Sequence, residues 1–504
     1  MENKKIVFGK MLLHGGGERR TVIKDGAVYI EGDQIIDVGK HDEISKNYGC
    51  DIEIGSSNHV LMPGFVNSHN HGRGFGPLRV GIRDASLEIW ISYHLAEVFS
   101  LSLYHNALLS CMKLIESGVT TTNHHFYAHN PEERALYEKD LEDVMRAYLD
   151  SGMRVSYVPA IQDQNRHVYL EERKFVEKLP KNIQRSLSID VPCDDDISKR
   201  IKSYFKSFDE TFEKYQDYEG RIRLSYGPTG VHWCSDELLK RVKKEAERKN
   251  VGIHIHLQET KYQREYGFKV FGKTPLQHLE DIDFLGPEVS LAHCIWVTEK
   301  DIELLSDRRT IAVHNPSSNL RLFSGVAPIV QMVKKGVRVA IGVDSTGIND
   351  DEDILQEIRL CSAINRKPGI REYREYSRHL TPAILLDMAT IKGAASTGFK
   401  NIGAIEIGSK ADLILLNTRN LPLYLIPMLS LEEIIINWAK GADVDTVMIN
   451  GKIIMEDRRF TKLDKNETWD ILEKSIKEFD PQKNKTLEKF RAHLIKYYQN
   501  WNGE

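Results

Sequence analysis

The chain has 504 residues, of which 41% are hydrophobic and 28% are charged, an ordinary balance for a globular protein. Its net charge is −4 and its pI is about 6.6, without any block of like charge, so nucleic acid and anionic membrane surfaces are not expected as partners. Because no apolar run is long enough to span a bilayer and the N-terminus lacks an apolar signal segment, we expect a soluble, cytoplasmic protein.

The N-terminal segment, residues 1–62, has the pattern of short strands separated by glycine turns. Alternating apolar residues on both sides of Gly32-Asp33 predict a β-hairpin. Since the chain is longer than a single typical domain, we expect this segment to belong to a small domain attached to a larger catalytic core.

Residues 63–402 show a different pattern, in which short apolar runs alternate with longer helical stretches. One of these helices is predicted to begin after Ser235, which can cap its N-terminus. Repeated strand–helix units predict a parallel sheet covered by helices. The strand-like runs are Val155–Pro159, Arg221–Tyr226, Val251–Leu257, Val289–His293, Ile311–His314 and Val337–Val343.

Strand patterns return over residues 403–457, at Ala411–Asn417 and Val444–Met455. Similar β elements at both ends of the chain predict one small β-sandwich domain assembled from the two termini. The tail, residues 458–504, is expected to be helical and to pack on the domain, with apolar residues at helical spacing. These residues are Leu487, Phe490, Leu494, Tyr497 and Trp501. Residues 160–220 are polar and weakly periodic, which is compatible with a lid over a site or with an ordinary insertion.

All six cysteines lie apart from one another, and none belongs to a Cys-x-x-C pair. This pattern favours reduced thiols over a disulfide framework or a structural zinc knuckle, as expected in the cytoplasm. The residues are Cys50, Cys111, Cys193, Cys234, Cys294 and Cys361.

Two histidines that are two residues apart, His69 and His71, end the segment that begins at Pro63-Gly64. On a β-strand, side chains at i and i+2 point to the same face, so both imidazoles can reach one metal ion. The pair is weak evidence by itself, because histidine pairs in polar loops are common.

Three more apolar strands end in groups that bind metals or transfer protons. His256 and Glu259 close one of them, His293 the next and Asp344 a third. In a closed barrel the carboxyl ends of all strands meet at one mouth, whereas widely separated strands of an open sheet would not meet. The placement therefore predicts an α/β fold, a TIM-type (β/α)8 barrel with its site at that mouth.

The motifs, taken in chain order, resemble those of the amidohydrolase superfamily. The branch that they resemble contains the cytosine, guanine and S-adenosylhomocysteine deaminases and the triazine hydrolases. The resemblance extends from the first hairpin to about residue 457. It includes Gly403–Asn417, which is similar to the C-terminal sandwich segment of that family. The motifs are Pro63–His71, His256-Leu-Gln-Glu259, Ala292-His293-Cys294, His314-Asn-Pro-Ser-Ser-Asn319 and Gly342-Val-Asp344.

The resemblance implies that one divalent ion is held by His69, His71, His256 and Asp344. Three nitrogen ligands and one carboxylate suit zinc, and iron(II) is also acceptable. The segment Arg221–Gly227 contains no lysine that could carry a bridging carbamate, which favours one metal ion over two.

The same resemblance assigns catalytic roles to Glu259 and His293, and the arrangement of the ligands suggests one for Asp344. Glu259 would be the proton shuttle, and His293 would hydrogen-bond the group under attack. Asp344, besides binding the metal, would accept a proton from the attacking water.

Several other residues are candidates for the site. His254 shares the face of His256 and competes with it as a ligand, although the family register favours His256. Substrate contact is predicted for several residues, each of which also has an alternative role. For Trp90 the alternative is a place in the core, and for His314 it is a cap on its loop. Gln258 replaces a small residue that is frequent in the family, so we do not expect the substrate pocket that is usual in that family. The candidates for substrate binding are His124, His125, Trp90, Gln258, His314 and Asn319.

Three functions are compatible with the sequence. The leading one is hydrolytic deamination of a purine, pyrimidine, pterin or triazine-like ring with release of ammonia. The second uses the same site to cleave a cyclic amide or to displace an alkylamine or halide. The third, a non-catalytic barrel scaffold, is disfavoured because all four ligands and the shuttle are present. The expected partner is a small heterocyclic molecule, and the resemblance implies a homo-oligomer, a dimer or larger.

Overall fold

The computed structural model of the chain describes residues 4–95, 101–129, 133–191, 193–345, 347–476 and 481–501. Its first strands are β1 (Lys4–His14), β2 (Thr21–Glu31), β3 (Gln34–Lys40) and β4 (Ile52–Pro63), with helix α1 (His41–Asn47) before β4. Strand β1 pairs antiparallel with β2 and parallel with β4. The predicted β2–β3 hairpin is confirmed, and it turns at Gly32, whose φ of +61° favours glycine.

The next strands are parallel, and each is hydrogen-bonded to its neighbour in chain order. They are β5 (Phe65–Asn70), β6 (Val119–Phe126), β7 (Arg154–Ile161), β8 (Ile222–Pro228), β9 (Gly252–Leu257), β10 (Val289–His293), β11 (Ile311–His314) and β12 (Arg338–Ile341). The backbone amide of Asp344 donates to His69 O at 2.8 Å, which joins the ends of the first and last of these strands. The predicted barrel is confirmed, and its ring closes at the predicted site.

Helices connect the barrel strands and cover them. Ser235 caps α8 as predicted, since its side chain accepts from Leu238 N, and α8 buries one apolar face against the barrel. The helices are α2 (Leu87–Trp90), α3 (Leu103–Glu116), α4 (Arg134–Ser151), α5 (Glu172–Lys178), α6 (Lys181–Ser186), α7 (Asp194–Tyr215), α8 (Asp236–Lys249), α9 (Lys261–Phe271), α10 (Pro275–Asp281), α11 (Glu299–Asp307), α12 (Pro316–Arg321), α13 (Ile329–Lys334), α14 (Ile354–Ile364), α15 (Ile370–His379), α16 (Pro382–Met388) and α17 (Ile391–Thr397).

The chain then returns to the N-terminal sheet. It adds β13 (Leu413–Asn417), helix α18 (Leu431–Trp438), β14 (Val444–Ile449), β15 (Lys452–Glu456) and β16 (Arg459–Phe460). Strand β13 pairs antiparallel with β4, so the two chain ends form one β domain, as predicted. Backbone hydrogen bonds from Ile35 N to Ser409 O and from Ala411 N to Asp33 O join β3 and its turn to the segment before β13, and Ile35 and Ala411 share one apolar cluster.

Two regions without a clear strand pattern are helical. Residues 160–220 contain α5, α6 and α7, and the tail contains α19 (Lys465–Ile476) and α20 (Pro481–Gln499). Leu487, Phe490 and Leu494 of α20 are buried in one cluster with Trp90 and Tyr169. Among the described residues, no helix has both the length and the apolar character required to cross a bilayer.

Candidate active site

The candidate residues lie at the carboxyl ends of barrel strands. His69 is in β5, His256 is in β9, His293 ends β10, and Asp344 follows β12. These four side chains are buried. Because parallel barrel strands end at a common mouth, residues far apart in sequence come together there.

The four proposed metal ligands converge on one place. One donor atom from each of His69, His71 and His256 lies within 4.8 Å of the others, and the same holds for His69, His293 and Asp344. The distances from Asp344 Oδ1 to His69 Nε2 and His71 Nε2 are 3.5 and 3.1 Å. Ligand atoms from three strands therefore face a common point.

The environment of His69 Nε2 shows whether this arrangement fits a cation. It is buried and has no hydrogen-bond partner among the described residues. A buried polar atom without a partner costs free energy unless a ligand satisfies it. Three imidazoles and one carboxylate also form a donor set that zinc accepts. The residues present therefore fit a divalent metal ion.

Backbone carbonyls orient two of the three imidazoles. His71 Nδ1 donates to His125 O at 2.7 Å, and His256 Nδ1 donates to Thr229 O at 2.8 Å. A carbonyl can only accept, so the proton of each ring lies on Nδ1 and the lone pair of Nε2 faces the site.

The third imidazole, His69, is oriented by another histidine. His69 Nδ1 lies 2.7 Å from His254 Nε2, and His254 Nδ1 lies 2.7 Å from Ser290 Oγ. Burial, followed by the neighbouring His71, lowers the pKa of His254 to about 3, so its ring is neutral at pH 7 and can accept a hydrogen bond. The structure thus places His254 behind His69, as its hydrogen-bond partner.

Asp344 is held as a carboxylate. Burial by itself would raise its pKa, but the hydrogen bond and charge of His71 and the charge of His293 hold the pKa below its ordinary value. Ser318 Oγ donates to Asp344 Oδ2 at 2.6 Å. The backbone of Asp344 has a φ of +65°, an uncommon conformation for a residue other than glycine, of the kind that concentrates at functional sites.

Glu259 has the opposite electrostatic environment. Burial, followed by the charges of Asp344 and Glu88, raises the pKa of Glu259 well above its ordinary value. Its backbone amide donates to Gln263 Oε1 at 2.9 Å, and its Oε2 lies 3.6 Å from His293 Nε2. Two carboxyl groups with pKa values displaced in opposite directions are what an acid–base pair requires.

His293 is oriented from behind by a predicted substrate contact. Its Nδ1 lies 2.8 Å from Asn319 Oδ1, so the amide oxygen accepts and His293 Nε2 faces Asp344 and Glu259. His314 lies further back, with its Nδ1 3.4 Å from Asn319 Nδ2. The structure therefore places Asn319 and His314 behind His293 as supports, where we had expected them to contact substrate.

The other expected substrate contacts divide into two groups. His124 and Trp90 line a cavity of about 610 Å³ that opens from the metal ligands. His125 is buried with its ring packed edge-on against His256. The Gln258 amide is engaged elsewhere, since it donates to Trp296 O at 2.8 Å and accepts from Leu276 N at 3.0 Å.

Several residues of the cavity wall were not candidates from the sequence. They include Arg73, Tyr127 and Trp233, which follow the barrel strands, and Phe490 and Leu494 of the tail. The apolar spacing of the tail identified the buried face of its helix, but periodicity carries no information about which part of the molecule that face covers.

Known proteins resemble this chain over most of its length. The sequence profile described as the Amidohydrolase family matches residues 60–454. A 5'-deoxyadenosine deaminase of Methanosarcina barkeri is 30% identical over 467 residues, which cover 90% of this chain and 94% of that protein. A 5-methylthioadenosine/S-adenosylhomocysteine deaminase of Thermoanaerobacter pseudethanolicus is 32% identical over 466 residues, covering 91% and 96%.

The fold also matches a solved structure. The crystal structure of an adenosine deaminase from Xanthomonas campestris with bound zinc superposes with a TM-score of 0.76 at 22% identity, covering 94% of this chain and 99% of that one. At this level of identity the likeness concerns the fold.

Proposed function

The chain belongs to the amidohydrolase family, and on this premise we propose that it is a zinc-dependent deaminase of an adenosine-like amino-heterocycle. The observation that carries the proposal is the common point reached by His69, His71, His256 and Asp344, beside the shuttle candidate Glu259, whose pKa is raised by burial. The names of the relatives that align over about nine-tenths of the chain support an adenosine-like substrate.

The metal would be held by the three imidazole Nε2 atoms and the Asp344 carboxylate. When bound, a divalent ion at this place lowers the pKa of a water molecule toward neutrality and so supplies the nucleophile. The nitrogen-rich donor set favours zinc, and iron(II) is the alternative.

Protons would move between the chain's own carboxyl groups and the substrate. Asp344, an anion, accepts a proton from the attacking water as the new C–O bond forms at the amino-bearing ring carbon. Glu259, protonated, donates to the adjacent ring nitrogen and neutralises the charge that develops there. His293 Nε2 hydrogen-bonds the tetrahedral carbon's oxygen.

Collapse of that centre completes the reaction. The C–N bond breaks, the proton held by Asp344 passes to the departing nitrogen, and ammonia leaves. The ring nitrogen keeps the proton from Glu259, and the proton left on the new hydroxyl passes to the Glu259 carboxylate. Water and the amine are thereby converted into a ring carbonyl and ammonia, and both carboxyl groups return to their starting protonation states.

Ammonia release on a panel of substrates tests the proposal. We expect zinc-loaded enzyme to deaminate adenosine, 5'-deoxyadenosine or 5'-methylthioadenosine, and chelator-treated enzyme to lose this activity. Glu259→Gln should retain zinc but lose about 100-fold or more of turnover, because the shuttle proton is missing. Full activity of Glu259→Gln, or ring products formed without ammonia, would contradict the proposal.

We also infer that the protein works in the cytoplasm as a homo-oligomer. All six cysteines are free thiols, which supports a reducing compartment. Light scattering on the purified protein measures the oligomeric state.

A further inference from the structure

The C-terminal helix α20 forms part of the cavity wall, although it lies outside the region matched by the family profile. Phe490 and Leu494 line the cavity, and both are 1% exposed. The two side chains are four residues apart and therefore share one face of the helix. An element from the far end of the chain thus borders the candidate substrate site.

Polar contacts hold α20 in this position. The Tyr497 hydroxyl donates to Leu170 O at 2.7 Å and accepts from Leu170 N at 3.2 Å. Arg491 donates to the Tyr93 hydroxyl at 2.6 Å and lies over the Tyr93 ring at 4.5 Å from its centroid. The helix is therefore anchored both to residues 160–220 and to the 3-10 helix Ile91–Leu95, which follows α2.

The end of α20 also contacts the surroundings of Glu259. The rings of Tyr498 and Trp501 pack against Tyr169 at centroid distances of 5.7 and 6.3 Å. The Tyr169 hydroxyl lies 3.5 Å from Gln263 Nε2, and Gln263 Oε1 accepts from the Glu259 amide. Removing the whole helix would therefore disturb catalysis as well as the wall, so single substitutions are needed to separate the two.

The cavity is larger than a heterocyclic ring requires. Its volume of about 610 Å³ falls within the range of roughly 300–1,000 Å³ found for sites of drug-sized ligands. A ring held beside Glu259 and His293 leaves room for a substituent. Apolar side chains of Leu322 and Trp233, in addition to Phe490 and Leu494, line the same cavity.

We infer that Phe490 and Leu494 are specificity-determining residues, which select the substituent of the substrate by packing against its apolar part. This inference rests on the proposed deaminase function, because it takes the ring to lie at the metal ligands. It assigns a role in substrate choice to the C-terminal tail.

Binding measurements in the Glu259→Gln background separate this inference from turnover. The zinc-loaded protein is titrated with adenine, adenosine and 5'-methylthioadenosine. Binding is followed by tryptophan fluorescence, because Trp90 and Trp233 line the cavity. Leu494→Ala and Phe490→Ala should each weaken 5'-methylthioadenosine binding about tenfold and adenine binding less than about twofold. Leu494→Met, which conserves volume, should restore affinity.

The matched control is Ile495→Ala, on the same helix but 44% exposed, which should bind all three ligands as the parent does. Equal weakening of binding for the three ligands would assign Phe490 and Leu494 a structural role only and would overturn the inference. Unchanged affinity of both variants for 5'-methylthioadenosine would also overturn it, and so would the absence of binding by all three ligands. Selective weakening without any ammonia release by the Glu259-containing enzyme would sustain the inference and reject the deaminase proposal.

Discussion

At the scale of single residues, the imidazoles of the three proposed histidine ligands obtain their orientation in different ways. His71 and His256 donate to backbone carbonyls, which no side-chain substitution removes. His69 depends on the side chain of His254, and His254 in turn on Ser290. The orientation of His69 is therefore the one that mutation can test.

We expect His254→Ala to weaken zinc binding about 10- to 100-fold, as is typical when the hydrogen-bond partner of a metal-binding histidine is lost. His254→Gln should recover part of the affinity, because its amide oxygen can accept from His69 Nδ1. Competition with a chromophoric chelator measures the affinity, and zinc binding by His254→Ala that equals the parent would show that His69 needs no such partner.

At the scale of secondary-structure elements, helix α12 carries Asn319, which orients His293, and a buried carboxyl group anchors its first turn. Glu357 of α14 accepts from Ser317 N at 3.0 Å and from the Ser317 hydroxyl. Burial is the main cause that raises the pKa of Glu357 to about 8, with the Ser317 bonds opposing it. The anchor is therefore protonated at neutral pH.

This raised pKa predicts a pH dependence of stability. The folded state keeps a proton on Glu357 that the unfolded chain loses near pH 4.5, so the stability contributed by this group is fully present below that pH and is lost as the pH rises through about 8. The loss is up to about 1.4 kcal/mol per pH unit in this window. Glu357→Gln has no proton to lose, so its melting temperature relative to the parent should increase from pH 5 to pH 8.

Thermal denaturation of both proteins across that range measures the difference. A constant offset between Glu357→Gln and the parent would mean that Glu357 ionises in the folded state as it does in the unfolded chain. Glu375→Gln is a suitable control. The Glu375 carboxyl group on α15 is paired with Lys334, and its pKa is lowered, not raised.

At the scale of the whole molecule, the candidate metal site joins parts of the barrel that are far apart in sequence. Asp344 follows the last barrel strand and bonds through its backbone to His69 in the first. A cation bound there would link β5, β9 and β12, and any ligand that binds only the folded state stabilises it.

We therefore expect zinc to raise the melting temperature of the metal-free protein, by an amount that grows with zinc concentration. His256→Ala should abolish most of this shift, whereas His379→Ala, on α15 and away from the site, should retain it. Differential scanning calorimetry at several zinc concentrations provides the measurement, and a full shift in His256→Ala would argue against the common site.

The sequence by itself determined the barrel, the mixed β domain and the set of polar groups at the strand ends, because alternation, strand length and strand–helix order are local properties of the chain. It left His254 and His256 as rival ligands, since both lie on the same face of β9 and spacing cannot distinguish the nearer side chain from the one behind.

Only the tertiary structure decided which residues support the site residues from behind and which residues shape the cavity. Asn319, His314 and Gln258 have polar side chains that suit either substrate or structure, and their actual partners come from other strands and loops. Likewise, helical spacing identifies the apolar face of α20, but that face covers the cavity because of contacts with residues hundreds of positions away. Such choices depend on packing between distant segments, which local sequence patterns do not encode.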